Sequence, residues 1–122
     1  MCLLISETFL SCRNPAAAAR MLCFQISALC PIFQCEDGWI LTFDVGKATL
    51  KAIGNMLMMR VEADDLIGLY SITTLIEGYL IEDEDINNPS LLWIQARVKP
   101  FASLSDYISV IKDDAEIGDD ND

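Results

Sequence analysis

The sequence predicts a single α+β domain: an antiparallel β-sheet, with a three-stranded central meander plus flanking strands, two main helices on one face and a short C-terminal helix. Three observations carry this reading. Between Trp39 and Val61, apolar and polar residues alternate in three short stretches separated by turn signals. Before them, Asn14-Pro15 supplies a helix start. After them, apolar residues recur three and four apart from Leu66.

The first element is the least marked, an edge strand over Leu3 to Leu10. Asn14 then serves as a helix cap with Pro15 at the first helical position, and Met21, Leu22, Phe24, Ile26 and Leu29 follow four alanines. The first helix is therefore expected from Pro15 to Leu29, stopped by Pro31. Glu36-Asp37-Gly38 marks a turn. Trp39, Leu41, Phe43 and Val45 then alternate with Thr42 and Asp44, Gly46 breaks the run, and Ala48, Leu50 and Ala52 alternate with Lys47, Thr49 and Lys51. Gly54-Asn55 makes a tight reversal before Leu57, Met59 and Val61. Connections this short dictate an antiparallel meander.

Asp64-Asp65 suits the positive end of a second helix, expected from Leu66 to about Ile81. The β-branched run Ile72 to Ile76, between Gly68 and Gly78, leaves a strand over 72–80 as the alternative. Glu82 to Asp85 and Asn87-Asn88-Pro89 read as a solvated loop. Leu92, Ile94, Ala96 and Val98 mark a further strand, with Trp93 on its opposite face. Ser103 and Asp106 resemble a capping box ahead of a short helix with Leu104, Tyr107, Ile108 and Ile111. The domain is expected to occupy residues 1–112, followed by an acidic disordered tail over 113–122.

Composition restricts function mainly by exclusion. The chain has 122 residues, enough for one core, and no histidine, which removes the commonest general base and metal ligand. Its charge of −11 is divided unevenly. Up to Val61, five Lys/Arg face four Asp/Glu, for +1; from Glu62 onward three face fifteen, for −12. Such a surface repels nucleic acid and anionic membranes and attracts basic partners. A mean hydropathy of +0.33 is high for a small domain and points to an apolar face covered by a partner or a second copy. No stretch is apolar for the ~18 residues of a membrane span. Met1 to Phe9 lacks a basic start and contains Glu7, so no signal peptide is expected.

Five cysteines without an export signal favour reduced thiols and a cytoplasmic location. Zinc is the sharper reading for Cys23, Cys30 and Cys35, but Cys30 and Cys35 stand four residues apart with no second pair and no histidine. Buried apolar thiols are the plainer reading. The paired acids at 64–65, 82–85 and 113–114 lack the alternating oxygens and glycine turn of a calcium loop. Cysteine and serine nucleophiles lack a histidine base. Glycines never cluster as a phosphate-binding loop. The chain is therefore expected not to be an enzyme, and to use no cofactor or metal.

Two surfaces stand out on the expected sheet. If Leu57, Met59 and Val61 face the helices, Met56 and Met58 point to the other face with Ile40 and Thr42, and Ile40, Met56 and Met58 become a candidate partner-binding face. Coverage of that face by a terminal segment or another protomer is the competing reading. Lys47, Lys51 and Arg60 also share the outward side of two neighbouring strands, a basic footprint too small to outweigh −11 for nucleic-acid binding.

The middle of the chain resembles a known bacterial family. Asp37-Gly-Trp-Ile-Leu-Thr-Phe-Asp-Val-Gly46, then Ala48-Thr-Leu-Lys-Ala52, then Leu57-Met-Met-Arg-Val-Glu-Ala-Asp64 are similar to motifs of the bacterial domain of unknown function family 2218. That domain occurs alone or attached to siderophore-interacting flavoproteins. Met21-Leu-Cys23 and Pro31 stand at matching spacing, and Trp93 corresponds to a late-strand tryptophan, so the similarity spans roughly residues 7 to 98. Gln25, Ala28 and Tyr79 stand where the family carries histidines. The resemblance implies a β-α-β-β-β-α fold and a loose association with iron uptake. It implies no reaction.

Function is thus expected to be that of a non-enzymatic cytoplasmic binding or accessory domain, working as a homodimer or against a protein partner. The alternatives are an acidic chaperone, similar to those of type III secretion, that holds a client segment, and an acidic inhibitor or immunity protein for a basic partner.

Overall fold

The computed structural model describes residues 3–36, 38–81 and 91–120. The elements are β1 (Leu4–Ser11), α1 (Pro15–Ile26), β2 (Ile32–Cys35), β3 (Gly38–Phe43), β4 (Gly46–Ile53), β5 (Met56–Ala63), α2 (Leu66–Ile81), β6 (Ile94–Gln95) and α3 (Ala102–Asp120). The strands form one six-stranded antiparallel sheet in the order β2-β3-β4-β5-β1-β6. The α+β architecture and the β3-β4-β5 meander are as the alternation predicts.

Local sequence accounts for most of these elements. Asn14 Oδ1 accepts the Ala17 N–H at 3.1 Å and Pro15 starts α1. Asp65 Oδ1 accepts the Gly68 N–H at 2.7 Å, so the second member of the acidic pair caps α2. The segment 72–80 is helical, because each apolar side chain of Leu69, Ile72, Ile76 and Leu80 reaches the core from one helix face. Gly54, at a φ of 58°, makes the two-residue turn into β5. Gly46 opens β4 rather than merely ending β3: a Cβ there would lie 2.1 Å from the Glu62 carbonyl oxygen, so only glycine lets the two strands approach.

Several expectations need correction. β1 is no edge strand, since it lies between β5 and β6 and pairs with β5 along its whole length, from Leu4↔Ala63 to Ser11↔Met56. α1 ends at Ile26, and the residues expected to finish it turn into the additional strand β2. Val45 sits in the exposed β3–β4 turn. The strand expected over 92–98 shortens to Ile94–Gln95. Ser103 does not form a capping box; its Oγ accepts the backbone N–H and Nε–H of Arg97, at 3.2 and 3.1 Å. α3 is longer than its apolar pattern and continues to Asp120, through most of the segment expected as a tail. The acidic loop over 82–85 lies outside the described residues.

The sheet has two differently covered faces. α1 lies over β3, β4 and β5, and α2 over β4, β5 and β1, burying Leu10, Leu41, Ala48, Leu50, Leu57, Met59 and Val61 in the main core. The alternate residues of β1 and β5 point the other way. There Met58, Phe101 and Leu104 form a second cluster, with Phe9, Ile94 and Ile108 packed against it. α3 therefore covers the β5-β1-β6 half of the second face. The β2-β3-β4 half has Phe33, Thr42 and Lys47 exposed.

Candidate functional site

Period-two alternation does place Ile40, Met56 and Met58 on one sheet face, but the fold separates them. Met58 is only 5% exposed, beneath Phe101 and Leu104. Ile40 lies in line with Phe33 and Thr49, and Met56 with Ile53 and Ser11, both half-buried. The chain's own C-terminal segment thus takes up the methionine that anchored the expected docking face. The remaining strip is polar at its centre, with Thr42, Thr49, Lys47 and Lys51 between Phe33 and Ile53.

What fastens that segment is an ion cluster built on Arg60. Its side chain is 2% exposed and that of Glu7 0%. Arg60 Nη1 donates to Glu7 Oε2 at 2.7 Å and to the Arg97 carbonyl at 3.0 Å. Its Nη2 donates to Glu62 Oε1 at 2.9 Å and to the Val98 carbonyl at 2.8 Å, and its Nε to Glu62 Oε1 at 3.0 Å. Glu7 Oε2 also accepts the Phe101 N–H at 2.6 Å. Glu7 and Arg60 oppose each other in the β1–β5 register, so alternation that places one places the other. Glu7 Oε1 is buried and makes no hydrogen bond among the described residues.

This cluster holds the backbone leading into α3. Phe101 adopts a φ of 61°, a conformation that costs a non-glycine residue about 1–3 kcal/mol. Its ring in the second cluster and its N–H on Glu7 keep it there. The expected basic footprint accordingly dissolves: Arg60 is enclosed by two carboxylates and Lys47 pairs with Glu62 at 3.2 Å. A cleft of about 520 Å³ opens beside the entry to α3, lined by Lys51, Ile53, Lys99, Pro100, Ser105 and Asp106 among others.

The surface that sequence patterning missed is the solvent side of α2. Leu66 is 55%, Ile67 78% and Tyr70 63% exposed, and Ser71, Thr74 and Leu75 continue the same side. α2 is apolar nearly all round, which is unusual for a helix with one side in water. Counting apolar residues on this side, rather than matching only the core stripe, would have found it. Exposed Asp64 and Asp65 stand at its N-terminal end. On α1, Met21 and Phe24 are also exposed.

The cysteines lie in different surroundings. Cys23 and Cys30 are buried in the main core. Burial, together with the neighbouring Cys30, pushes the Cys23 thiol up to about 11, and burial raises Cys30 as well. Cys35 Sγ contacts the Gly38 carbonyl at 3.4 Å. Among the described residues no group of three or more His, Cys, Asp or Glu is arranged to hold a metal ion, and no helix is long and apolar enough to cross a membrane.

No family profile and no curated protein matches this chain in sequence. Among solved structures it is similar to the NMR structure of PA4090 from Pseudomonas aeruginosa, with a TM-score of 0.59 and 14% identity over 75% of this chain and 95% of that one. At that identity the likeness is one of fold.

Proposed function

We propose that the chain is a non-enzymatic binding or accessory domain that docks a protein partner on the solvent side of α2. The observation that carries this reading is the exposure of Leu66, Ile67 and Tyr70 on one helix side. A contiguous apolar surface of this kind, with a polar border, is characteristic of an interaction site. Asp64 and Asp65 beside it, within a chain of net charge −11, favour a partner segment that is apolar and basic. The same border supports the client-holding and inhibitor alternatives, which differ in whether the partner segment is extended or folded. The resemblance of residues 7 to 98 to family 2218 supports an accessory role linked to iron uptake, in the cytoplasm.

Affinity capture from the native host, comparing the parent with Ile67→Glu and Tyr70→Glu, tests the proposal. A partner retained by the parent, lost from both variants and weakened by salt is expected. The same set of proteins on all three baits overturns it.

A further inference from the structure

We infer that β2 is a self-association edge, at which two copies join their sheets across a twofold axis. This does not rest on the α2 reading and concerns a different element, the edge strand β2.

The pairing pattern determines which backbone groups of β2 are free to do this. The Thr42 N–H donates to the Pro31 carbonyl at 3.1 Å, and β2 runs antiparallel to β3 through Ile32↔Leu41, Phe33↔Ile40, Gln34↔Trp39 and Cys35↔Gly38. In an antiparallel ladder every second residue turns its N–H and C=O to the partner strand. With Pro31 bonded to β3, Phe33 and Cys35 are bonded to it as well. Ile32 and Gln34 then direct their N–H and C=O groups away from β3, and among the described residues β2 is the last strand of the sheet.

A second copy meets these groups with complementary ones. An antiparallel pairing centred on Phe33 places Ile32 opposite Gln34 of the second copy and Gln34 opposite its Ile32, completing four backbone hydrogen bonds. The interface is isologous, as a twofold requires. It brings the two Phe33 side chains together at a non-hydrogen-bonded position, where cross-strand side chains lie closest. Phe33 is 67% exposed in the single chain, on the sheet half that α3 leaves uncovered. Edges are commonly protected by charge or an internal proline, and Ile32-Phe-Gln-Cys35 contains neither.

Charge distribution selects a second copy as the occupant. Two chains of −11 repel one another unless their acidic parts stay apart. The +1 half of the sequence supplies β2, β3, β4 and α1, with exposed Arg13 and Arg20 alongside exposed Glu36 and Asp44, and pairing centred on Phe33 puts the two Glu36 residues at opposite ends of the joined strands. Exposed Asp64, Asp65 and Asp106 belong to the other half. Four strand spacings separate β2 from β1, the strand against which α3 packs, a distance of about 19 Å at ~4.8 Å each. That exceeds the screening length of about 8 Å at physiological salt. At α2 two copies would instead bring Asp64 and Asp65 together.

The test is the solution mass, by size-exclusion with light scattering at high micromolar concentration, of the parent, Phe33→Lys, Gln34→Pro and Ile67→Glu. A parent at twice 13.6 kDa, with both β2 variants at the single-chain mass and Ile67→Glu still dimeric, is expected. Neither β2 change threatens the fold: Phe33 is exposed, and the Gln34 N–H is not donated to β3. Hydrogen exchange supplies a second readout. The Ile32 and Gln34 amides should exchange slowly in concentrated parent and quickly on dilution or in Phe33→Lys, while the Phe33 amide is insensitive. A monomeric parent, a dimer that survives both β2 changes, or a dimer abolished only by Ile67→Glu overturns the inference. The last result would leave the α2 proposal standing with a second copy as its partner.

Discussion

Arg60→Met removes the centre of the ion cluster, and its cost follows from what is left behind. Glu7, with a fully buried side chain, loses its cation and, among the described residues, keeps a single donor, the Phe101 N–H, while Oε1 already makes no hydrogen bond there. Breaking a buried pair from one side typically costs about 3–5 kcal/mol, because the remaining charge is stranded in a poorly polarisable site. That is a large part of the ~5–15 kcal/mol that stabilises an ordinary domain. Two other consequences are smaller. The Arg97 and Val98 carbonyls lie in exposed residues and regain water, and Glu62 keeps Lys47 at 3.2 Å. The double change Glu7→Leu with Arg60→Met strands no charge and should recover most of the loss, to within about 1–2 kcal/mol of the parent. Urea unfolding followed by circular dichroism at 25 °C measures all three chains. A loss below about 1 kcal/mol for Arg60→Met, or a double variant no more stable than the single, refutes the view that the pair is interdependent.

The remaining predictions concern backbone contact, thiol titration and α2. Gly46→Ala puts a Cβ 2.1 Å from the Glu62 carbonyl oxygen, so β4 and β5 must part; a loss of about 3 kcal/mol is expected, lowering Tm by about 10 °C in a thermal melt. The raised Cys23 thiol makes stability fall with alkali: folding favours the protonated form, so the contribution is complete below pH 9.0, the ordinary value for the thiol, and is lost as pH rises through about 11. Urea midpoints measured between these limits should decline less steeply in Cys23→Ala than in the parent. Iodoacetamide at pH 8 should likewise leave Cys23 unmodified until the chain is unfolded. Ile67→Glu should change stability by less than about 0.5 kcal/mol, since Ile67 is 78% exposed, while abolishing partner capture; a large loss of stability would mean that the side chain serves the core instead.

Much of the fold was legible because its determinants are local. Asn14-Pro15, Asp65 and Gly54 act within a few residues, and alternation from Trp39 to Val61 sorted the strands into two faces, Val45 in its exposed turn excepted. The candidate docking face was legible only in part. Alternation placed Ile40, Met56 and Met58 together, but nothing near Met58 in sequence announces Phe101 and Leu104 above it. Nor did the apolar exterior of α2 register, since the helical stripe Leu69, Ile72, Ile76 explains the core while Leu66, Ile67 and Tyr70 look like surplus.

The sequence by itself determined an α+β chain with a central meander, two capped helices, an acid-poor first half and no histidine. Tertiary structure alone decided that β1 enters the sheet beside β5, that Arg60 is enclosed by Glu7 from 53 positions away, and that α3 closes one half of the second face while leaving Phe33 and the β2 edge open. The reason is physical. Periodicity and caps report which side of an element prefers to be dry, because those preferences act over a turn or a strand. They do not report which distant segment supplies the cover, which is decided by competition among long-range pairings that only the assembled chain resolves.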